Sequence, residues 1–256
     1  MSIPPQTVFL YSCKGGVGKS SICTNLAYTY SKTGIRTGIF DADFYGPSIP
    51  FMVRGLEQQK PNISRFTVRP GLYGDVRVNS VGFFMDNKEG MIWEDSYIDG
   101  ALEQMLYSPE WETDVMFIDM PPGSGAIHRS VFSRVNGKAV IVTTPSELVY
   151  DVTARGIDIL DRMQIDVIGI MENMAYHKCD NCKHERNVLD SDREVCESLG
   201  IPLIARLPYD PEFNVSNSGV PYVVAHHDTD LTDKFQAAAS RIMANYGKNV
   251  TMRPRI

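Results

Sequence analysis

Short apolar runs rich in β-branched residues alternate along this chain with longer segments of helical periodicity. The runs that predict strands are 7–11, 37–40, 115–119, 139–144 and 166–171. The segments that predict helices are Ser20–Thr33, Ile98–Leu106, Ser146–Met163, Asp192–Leu199 and Asp228–Tyr246. Strands that alternate with helices form parallel sheets covered from both sides. The pattern therefore predicts an α/β fold with a mostly parallel sheet covered by helices on both faces.

Length and composition predict one large domain over residues 1–256. With 43% hydrophobic residues, the chain has enough apolar side chains for a substantial core. The segment from Met85 to Thr113 lacks a clear period because Gly, Asp, Trp and Pro interrupt it. We expect this segment to be a surface excursion around a short helix.

Charge and targeting signals narrow the class of protein. A net charge of −6 argues against nucleic acid as a partner, because a broad basic face is missing. No apolar run is long enough to predict a membrane span, and the N-terminus lacks a basic start and a small-residue cleavage site. Five cysteines, with one close pair, do not resemble a disulfide framework. We expect a soluble, cytoplasmic protein that does not bind membranes.

The segment SCKGGVGKSS at 12–21 follows a predicted strand and precedes a predicted helix. Glycines in such a loop let main-chain N–H groups surround phosphate oxygens. Lys19 is expected to reach the β- and γ-phosphates of ATP, and the Ser20 hydroxyl to coordinate Mg²⁺. The predicted nucleotide-binding residues of this loop are Gly15, Gly16, Val17, Gly18, Lys19, Ser20 and Ser21.

Two carboxylate motifs stand where this chemistry requires them. DAD at 41–43 follows the strand after the phosphate loop, and Asp119 ends the strand of FIDMPPGSG. Such carboxylates hold Mg²⁺ or orient a water, and a Gly-rich turn after the second can sense the γ-phosphate. We assign Asp41 and Asp119 to Mg²⁺ and Asp43 to a catalytic role.

The form KGGVGKS, with the additional Lys14, resembles the deviant Walker A P-loop of the MinD/ParA/nitrogenase iron protein group of dimeric ATPases. The resemblance implies a homodimer in which two subunits face each other across two ATP molecules. Lys14 would then act catalytically on the partner's nucleotide.

Further stretches resemble the Mrp/ApbC family of iron–sulfur cluster carrier ATPases. They are SCKGGVGKS, IFDADFYGPSIPFM, DMPPGSG, VIVTTPSELVYDV, GIMENMAYHKCDNC and LPYDPEF. The resemblance implies that Cys179 and Cys182, in a metal-binding segment at 176–185, hold a four-iron, four-sulfur cluster that bridges two subunits. It also implies that Asn173 hydrogen-bonds adenine, that Pro208 packs against the base, and that apo iron–sulfur proteins are the clients.

The residues themselves leave the metal open. Two thiolates three positions apart can ligate one metal centre but leave its coordination incomplete. A second subunit can complete the set, and so can His177 and His184, which would make a zinc site within one chain. A redox-active or inert pair is a further alternative. Asn173, likewise, is either an adenine ligand or a buried structural amide.

The other cysteines and histidines are assigned no role in the chemistry. We expect Cys13, Cys23 and Cys196 to pack in the core, because free cysteine commonly behaves as a small hydrophobe. We expect His128, His226 and His227 to lie on the surface.

The chain departs from the family pattern in two places. PPGSG is followed by Ala126 where the family has a carboxylate, which predicts slow ATP hydrolysis. Glu94 and Asp95 follow Trp93 where the family tends to have Arg-Gly, which reverses the charge of a predicted interface or nucleotide contact.

These patterns together favour an ATP-binding homodimer that assembles or carries an iron–sulfur cluster and passes it to apoproteins. One rival is a MinD/ParA-like ATP-dependent regulatory switch without a cluster, although the tail lacks the basic amphipathic helix expected of a membrane-binding member. The other is a zinc-stabilised nucleotide-binding interaction protein.

Overall fold

The computed structural model of the chain describes residues 6–63, 68–85, 95–107, 111–145, 149–179, 181–182, 184–187, 198, 200–214 and 219–247. The strands are β1 Gln6–Tyr11, β2 Thr37–Asp41, β3 Gln58–Gln59, β4 Asn62–Ile63, β5 Val68–Arg69, β6 Gly71–Tyr73, β7 Val76–Ser80, β8 Val115–Asp119, β9 Lys138–Thr143, β10 Val167–Lys178, β11 Glu185–Asn187 and β12 Leu203–Pro208. The helices are α1 Lys19–Ser31, α2 Ile49–Val53, α3 Asp95–Leu106, α4 Ala126–Arg134, α5 Val149–Arg162, α6 Pro211–Asn214, α7 Tyr222–Ala225 and α8 Asp230–Tyr246.

Ten of these strands form one sheet, in the order β11-β10-β9-β1-β8-β2-β7-β6-β3, with β12 also paired to β10. The pairs among β12, β10, β9, β1, β8, β2 and β7 are parallel, whereas β11, β6 and β3 join antiparallel. β4 and β5 form a separate antiparallel pair. The prediction of a mostly parallel α/β sheet is therefore confirmed.

Two apolar clusters cover the two faces of the sheet. Val8 and Leu10 of β1 point into the cluster that contains α1 and α8. Phe9 and Tyr11 point into the cluster that contains α3, α4 and α5. Successive residues of a strand face opposite sides, so a strand buried on both faces must be apolar throughout. This requirement explains the uninterrupted apolar runs in the sequence.

The surface excursion expected at 85–113 is wrong for the part that the structure describes. α3 packs into the core, and Trp111 is 1% exposed. Trp111 Nε1 donates a hydrogen bond to the Leu106 carbonyl at 2.9 Å, and a Cβ atom at Gly38 would lie 3.1 Å from the indole ring. The predicted helix Ile98–Leu106 is confirmed, because it lies within α3.

Some of the other predicted helices and strands are confirmed, and several observed strands were not predicted. α1, α5, α8 and strands β1, β2, β8, β9 and β10 lie where the pattern predicts them, although β10 continues seven residues beyond the predicted end at 171. The strands that the pattern missed are β3 to β7, β11 and β12. Ser146 and most of the predicted helix Asp192–Leu199 lie outside the described residues.

Candidate nucleotide and metal site

The loop between β1 and α1 presents its main chain at the start of a helix. Gly18 stands immediately before α1 with φ 87, and Gly16 has φ 76, two left-handed conformations that glycine adopts without strain. α1 runs for 13 residues, and its first N–H groups and positive dipole end face this loop. Lys19 is only 7% exposed. The geometry suits an anion with several oxygens.

Two carboxylates meet at the carboxyl ends of neighbouring strands. Asp41 of β2 and Asp119 of β8 are register partners, and they are 0% and 1% exposed. The oxygens of Asp41 are occupied, because Oδ2 accepts from Ser80 Oγ at 2.8 Å and Oδ1 accepts from the Asp43 N–H at 3.1 Å. Neither oxygen of Asp119 accepts a hydrogen bond of normal geometry from the described residues, although the Ser20 hydroxyl is close enough to stabilise its charge.

Burial dominates the electrostatics of this pair. It raises the pKa of Asp119 to about 6, although the Lys19 charge and the Ser20 hydroxyl oppose the rise. Burial and the neighbouring Asp119 also raise the pKa of Asp41, while its hydrogen bond from Ser80 opposes that rise. A buried carboxylate without partners, close to Lys19 and Ser20, is the donor that a hard divalent cation prefers. The oxygens of Asp119 are therefore available to a cation, whereas those of Asp41 already accept hydrogen bonds from Ser80 and Asp43.

An open groove of about 600 Å³ lies beside these carboxylates. It is lined by Asp43, Tyr45, Gly46, Pro121, Pro122, Gly125, Ala126, Ile127 and His128. Asp43 is half-buried, and its Oδ1 accepts from the Gly46 N–H at 3.0 Å. Ala126 is the first residue of α4 and is exposed. The structure thus brings Asp43 and Ala126 to one groove next to the phosphate loop.

The expectation that His128 lies on the surface is wrong. His128 is 2% exposed, and its ring packs edge-on against Tyr11 with centroids 5.6 Å apart. Burial lowers its pKa to about 4, so the ring is neutral near pH 7. Its Nε2 lies 3.0 Å from the Pro121 carbonyl, which can only accept, so Nε2 carries the proton. His128 thereby anchors the turn after Asp119.

The sequence held one signal for this residue. His128, Val131 and Phe132 have the i, i+3, i+4 spacing of a buried helix face, and the last two are core residues. The same turn is also tied to the phosphate loop, because the Gly123 N–H donates to the Ser12 carbonyl at 3.2 Å. The loop that follows Asp119 is thus held from both ends. Of the other two histidines that we expected on the surface, His226 is half-buried and His227 is exposed.

Asn173 contacts the phosphate loop itself. Its Nδ2 donates to the Val17 carbonyl at 3.0 Å, and a Cβ atom at Gly18 would lie 2.3 Å from that nitrogen. Asn173 is 0% exposed, and its Oδ1 has no partner among the described residues. The adenine contact stays a prediction. Pro208 is buried at the end of β12, in register with Tyr176.

The cysteine pair lies in the turn of the β10–β11 hairpin. Cys179 is half-buried and Cys182 is exposed. The Cys179 N–H donates to the His184 carbonyl at 3.0 Å, which closes the turn. Among the described residues, no three His, Cys, Asp or Glu side chains come together as a metal site. His177 and His184, which would complete a zinc site in the zinc alternative, are both exposed.

The remaining predicted residues are placed as follows. Lys14 is half-buried, and its N–H donates to Ser12 Oγ at 3.2 Å, so its role across a dimer stays a prediction. Cys23 is buried in the core as expected, whereas Cys13 is half-buried beside Tyr11. Trp93, Glu94, Cys196 and the side chain of Asp95 lie outside what the structure describes.

No helix in the described part of the chain is both long enough and apolar enough to cross a bilayer.

Known proteins resemble this chain in sequence and in fold. The ParA family model, described as NUBPL iron-transfer P-loop NTPase, matches residues 5–243. An iron-sulfur cluster carrier protein of Haemophilus influenzae is 34% identical over 237 residues, which are 90% of this chain and 64% of that protein. The chloroplastic Fe-S cluster assembly factor HCF101 of Arabidopsis thaliana is 38% identical over 232 residues, 88% of this chain and 43% of its own.

The chain therefore spans less than two thirds of the length of these relatives. Among solved structures, a nucleotide-binding protein of Archaeoglobus fulgidus in complex with ADP superposes with a TM-score of 0.70 at 30% identity. That match covers 90% of this chain and 91% of the other. The fold and the phosphate loop thus have a relative that holds a nucleotide.

Proposed function

This chain belongs to the ParA family of NUBPL iron-transfer P-loop NTPases, and from that premise we propose that it is an ATPase that carries an iron–sulfur cluster to apoproteins. The observation that carries the proposal is the union, in one chain, of a preformed phosphate loop and an accessible CxxC hairpin. We propose that residues 1–256 act as one domain, with segment 176–185 as its cargo site. Thiolate ligands suit a reducing compartment such as the cytoplasm.

The phosphate loop is the proposed ATP site. Main-chain N–H groups from Gly15 to Ser21 surround the phosphates, with Lys19 reaching the β- and γ-phosphates. The two unpartnered oxygens of Asp119 support a Mg²⁺ ion held by Asp119 and Ser20, with Asp41 behind them. When bound, this ion neutralises phosphate charge. Asp43, in the open groove, is the proposed residue that orients the attacking water.

Hydrolysis is proposed to be slow. Ala126 offers no carboxylate to the groove in which Asp43 and the turn after Asp119 meet. The neutral His128 holds that turn through Pro121, and because burial lowers its pKa to about 4 it is only a weak base. ATP then serves mainly as a conformational signal between the two sites.

The active form is proposed to be a homodimer. Two thiolates per chain leave an iron–sulfur cluster half-ligated, so a twofold pair of Cys179 and Cys182 would supply four. The half-exposed Lys14, at the mouth of the loop, is proposed to reach the partner's nucleotide. The cluster is cargo: a four-iron, four-sulfur cluster held by exposed thiolates can be passed to an apo iron–sulfur protein by ligand exchange.

The test is the metal and acid-labile sulfide content of anaerobically isolated and reconstituted protein. Wild type should hold about four iron atoms and four sulfides per dimer, with the visible absorption and Mössbauer spectrum of a cluster. The double variant Cys179→Ala/Cys182→Ala should lose both and still bind ATP. Cys13→Ala, which removes a half-buried thiol outside the hairpin, is the matched control and should keep the cluster.

The other outcomes discriminate the rivals. About one zinc per chain with no iron uptake identifies the zinc-stabilised interaction protein. Nucleotide-dependent dimerisation in gel filtration, without metal in either form, identifies the regulatory switch. Identical featureless spectra of wild type and the double variant end the cluster proposal.

A further inference from the structure

Strand β10 is interrupted by a bulge between the nucleotide site and the cysteine hairpin. Glu172 pairs with Arg206 of β12, and Tyr176 pairs with Pro208, so four steps on β10 (172 to 176) match two on β12 (206 to 208). Inside this bulge Met174 has φ 54, a left-handed conformation that residues with long side chains rarely adopt. Regular strand pairing therefore does not fix the two ends of β10 relative to each other.

The two ends of β10 serve the two proposed sites. Glu172 lies where the bulge begins, and the next residue, Asn173, bonds the phosphate loop at Val17 through its side chain. After it, Tyr176–Lys178 pairs with β11 and leads directly into Cys179. The segment from Asn173 to Cys179 contains most of the bulge, so coupling carried along β10 has to pass through it.

One side chain does cross it. Arg206 Nε donates to Glu172 Oε2 at 2.6 Å, before the bulge. The same guanidinium donates through its NH2 group to Asn187 Oδ1 at 3.3 Å. Asn187 is the register partner of Tyr176, so this second bond lies after the bulge.

We propose that Arg206 is a positioning residue, which bridges the bulge of β10 and fixes the cysteine hairpin relative to the nucleotide site. This proposal rests on the proposed function, because it describes how the nucleotide site addresses the cargo site. The planar guanidinium has several donors in a fixed geometry, so it can hold two acceptors on different strands at once.

The two bonds of Arg206 differ in strength. The Glu172 side chain is 1% exposed, and its Oε1 has no other partner among the described residues, so this end is a buried charged anchor. Asn187 is exposed, its hydrogen bond from Arg206 is 3.3 Å long, and the accepting amide oxygen carries no net charge. The Asn187 bond is therefore the one that can open when the phosphate loop moves.

The test is the alkylation rate of Cys179 and Cys182 in cluster-free protein, measured by peptide mass spectrometry with and without Mg²⁺ and a non-hydrolysable ATP analogue. We expect the nucleotide to change the wild-type rate by about fivefold. Asn187→Ala removes the bridge without leaving a buried charge, and it should bring the ratio close to one while the affinity for the analogue is unchanged. Asn187→Asp keeps an acceptor for Arg206 and should retain the wild-type ratio.

A second pair of variants guards against a fold defect. Arg206→Gln should also abolish the nucleotide effect, but it leaves Glu172 buried without its cation and so lowers stability. Arg241→Gln is the matched control, because Arg241 lies on α8 and bonds the same strand, β12, through the Ile204 carbonyl. Its alkylation ratio should equal that of wild type.

Two results would contradict the proposed role of Arg206. One is an Asn187→Ala variant that keeps the full nucleotide effect, and the other is a wild type in which nucleotide leaves the thiols unchanged. Iron and sulfide content, measured on the same variants after reconstitution, separates this failure from failure of the proposed function. If the cluster binds normally but nucleotide has no effect on the alkylation of the thiols, the proposed role of Arg206 fails and the proposed iron–sulfur carrier function stands.

Discussion

The phosphate loop is held by hydrogen bonds from two neighbouring segments, whereas the cysteine hairpin is tied to the rest of the chain by exposed or partly exposed side chains such as Asn187 and Lys178. Gly123 donates to Ser12 and Asn173 donates to Val17, so neighbouring segments fix the loop in place. In the hairpin, Cys182 and all of β11 are exposed, and the Cys179 N–H donates to the His184 carbonyl across the turn.

This difference fits the two tasks. A site that stabilises charge works best when its donors are already in place, because no reorganisation is then needed. A site that must give up its cargo to another protein needs access and freedom to move. The comparison predicts that the loop tolerates few changes, and that changes there leave the ligands of the hairpin intact.

The largest effect is expected from Lys19→Ala. Lys19 is buried beside Asp119 and is the proposed cation on the transferred phosphate. ATP hydrolysis should fall by about 100-fold or more in a steady-state assay. Iron content after reconstitution should stay at the wild-type level. Lys60→Ala, which removes an exposed lysine outside the site, should change neither quantity. Loss of iron in Lys19→Ala would contradict the prediction that changes in the loop leave the ligands of the hairpin intact.

A smaller effect with an unusual sign is expected from Asp119→Asn. Titration calorimetry should show Mg²⁺-dependent nucleotide affinity reduced by at least about tenfold, because a metal ligand loses its charge. Without metal, however, the ionised Asp119 destabilises the fold, since folding raises its pKa to about 6. The variant should therefore be more stable at pH 7, by about 1–3 kcal/mol in urea unfolding.

The pKa of Asp119 also determines how stability and Mg²⁺ affinity depend on pH. The folded protein holds the Asp119 proton more tightly than the unfolded chain, because folding raises the pKa of Asp119 from 3.8 to about 6. The free energy of unfolding of the metal-free wild type should therefore fall as the pH rises between these two values. Mg²⁺ needs the ionised form, so its affinity should fall by about tenfold per unit below pH 6. Asp114→Asn is the control, because Asp114 is an exposed partner of Arg36 far from the site. A wild type and an Asp119→Asn variant with the same stability profile between pH 4 and pH 7 would refute the assignment.

The smallest effect is expected from the comparison of Gly18→Ala with Gly34→Ala. Both glycines are left-handed, with φ 87 and φ 83, so both substitutions carry about 1 kcal/mol of backbone strain. A methyl group at Gly34 meets open space, but at Gly18 it lies 2.3 Å from Asn173 Nδ2. Thermal unfolding should show Gly18→Ala less stable by roughly a further 1 kcal/mol. Asn173→Ala in the same chain should recover that difference; no recovery would mean that the contact is not the cause.

Much of the site could be read from the sequence because local patterns encode it. A glycine-rich loop between an apolar strand and a helix fixes the phosphate loop, and an acid after each of two apolar runs fixes Asp41 and Asp119. Parallel strands bring their carboxyl ends to one edge, so these residues had to converge. Trp111 and His128 were misplaced because their burial depends on distant segments, Gly38 in one case and Tyr11 in the other.

The sequence by itself determined the parallel sheet, the phosphate loop and the presence of two neighbouring thiols, since each is written in residues close together along the chain. Tertiary structure alone decided which acid keeps its oxygens unpartnered, because only Asp41 finds Ser80 on the adjacent strand. It also decided that Arg206 spans the bulge in β10, since its two partners, Glu172 and Asn187, lie 34 and 19 residues away on two other strands. Interactions between distant segments have no local period, so no pattern of residues announces them.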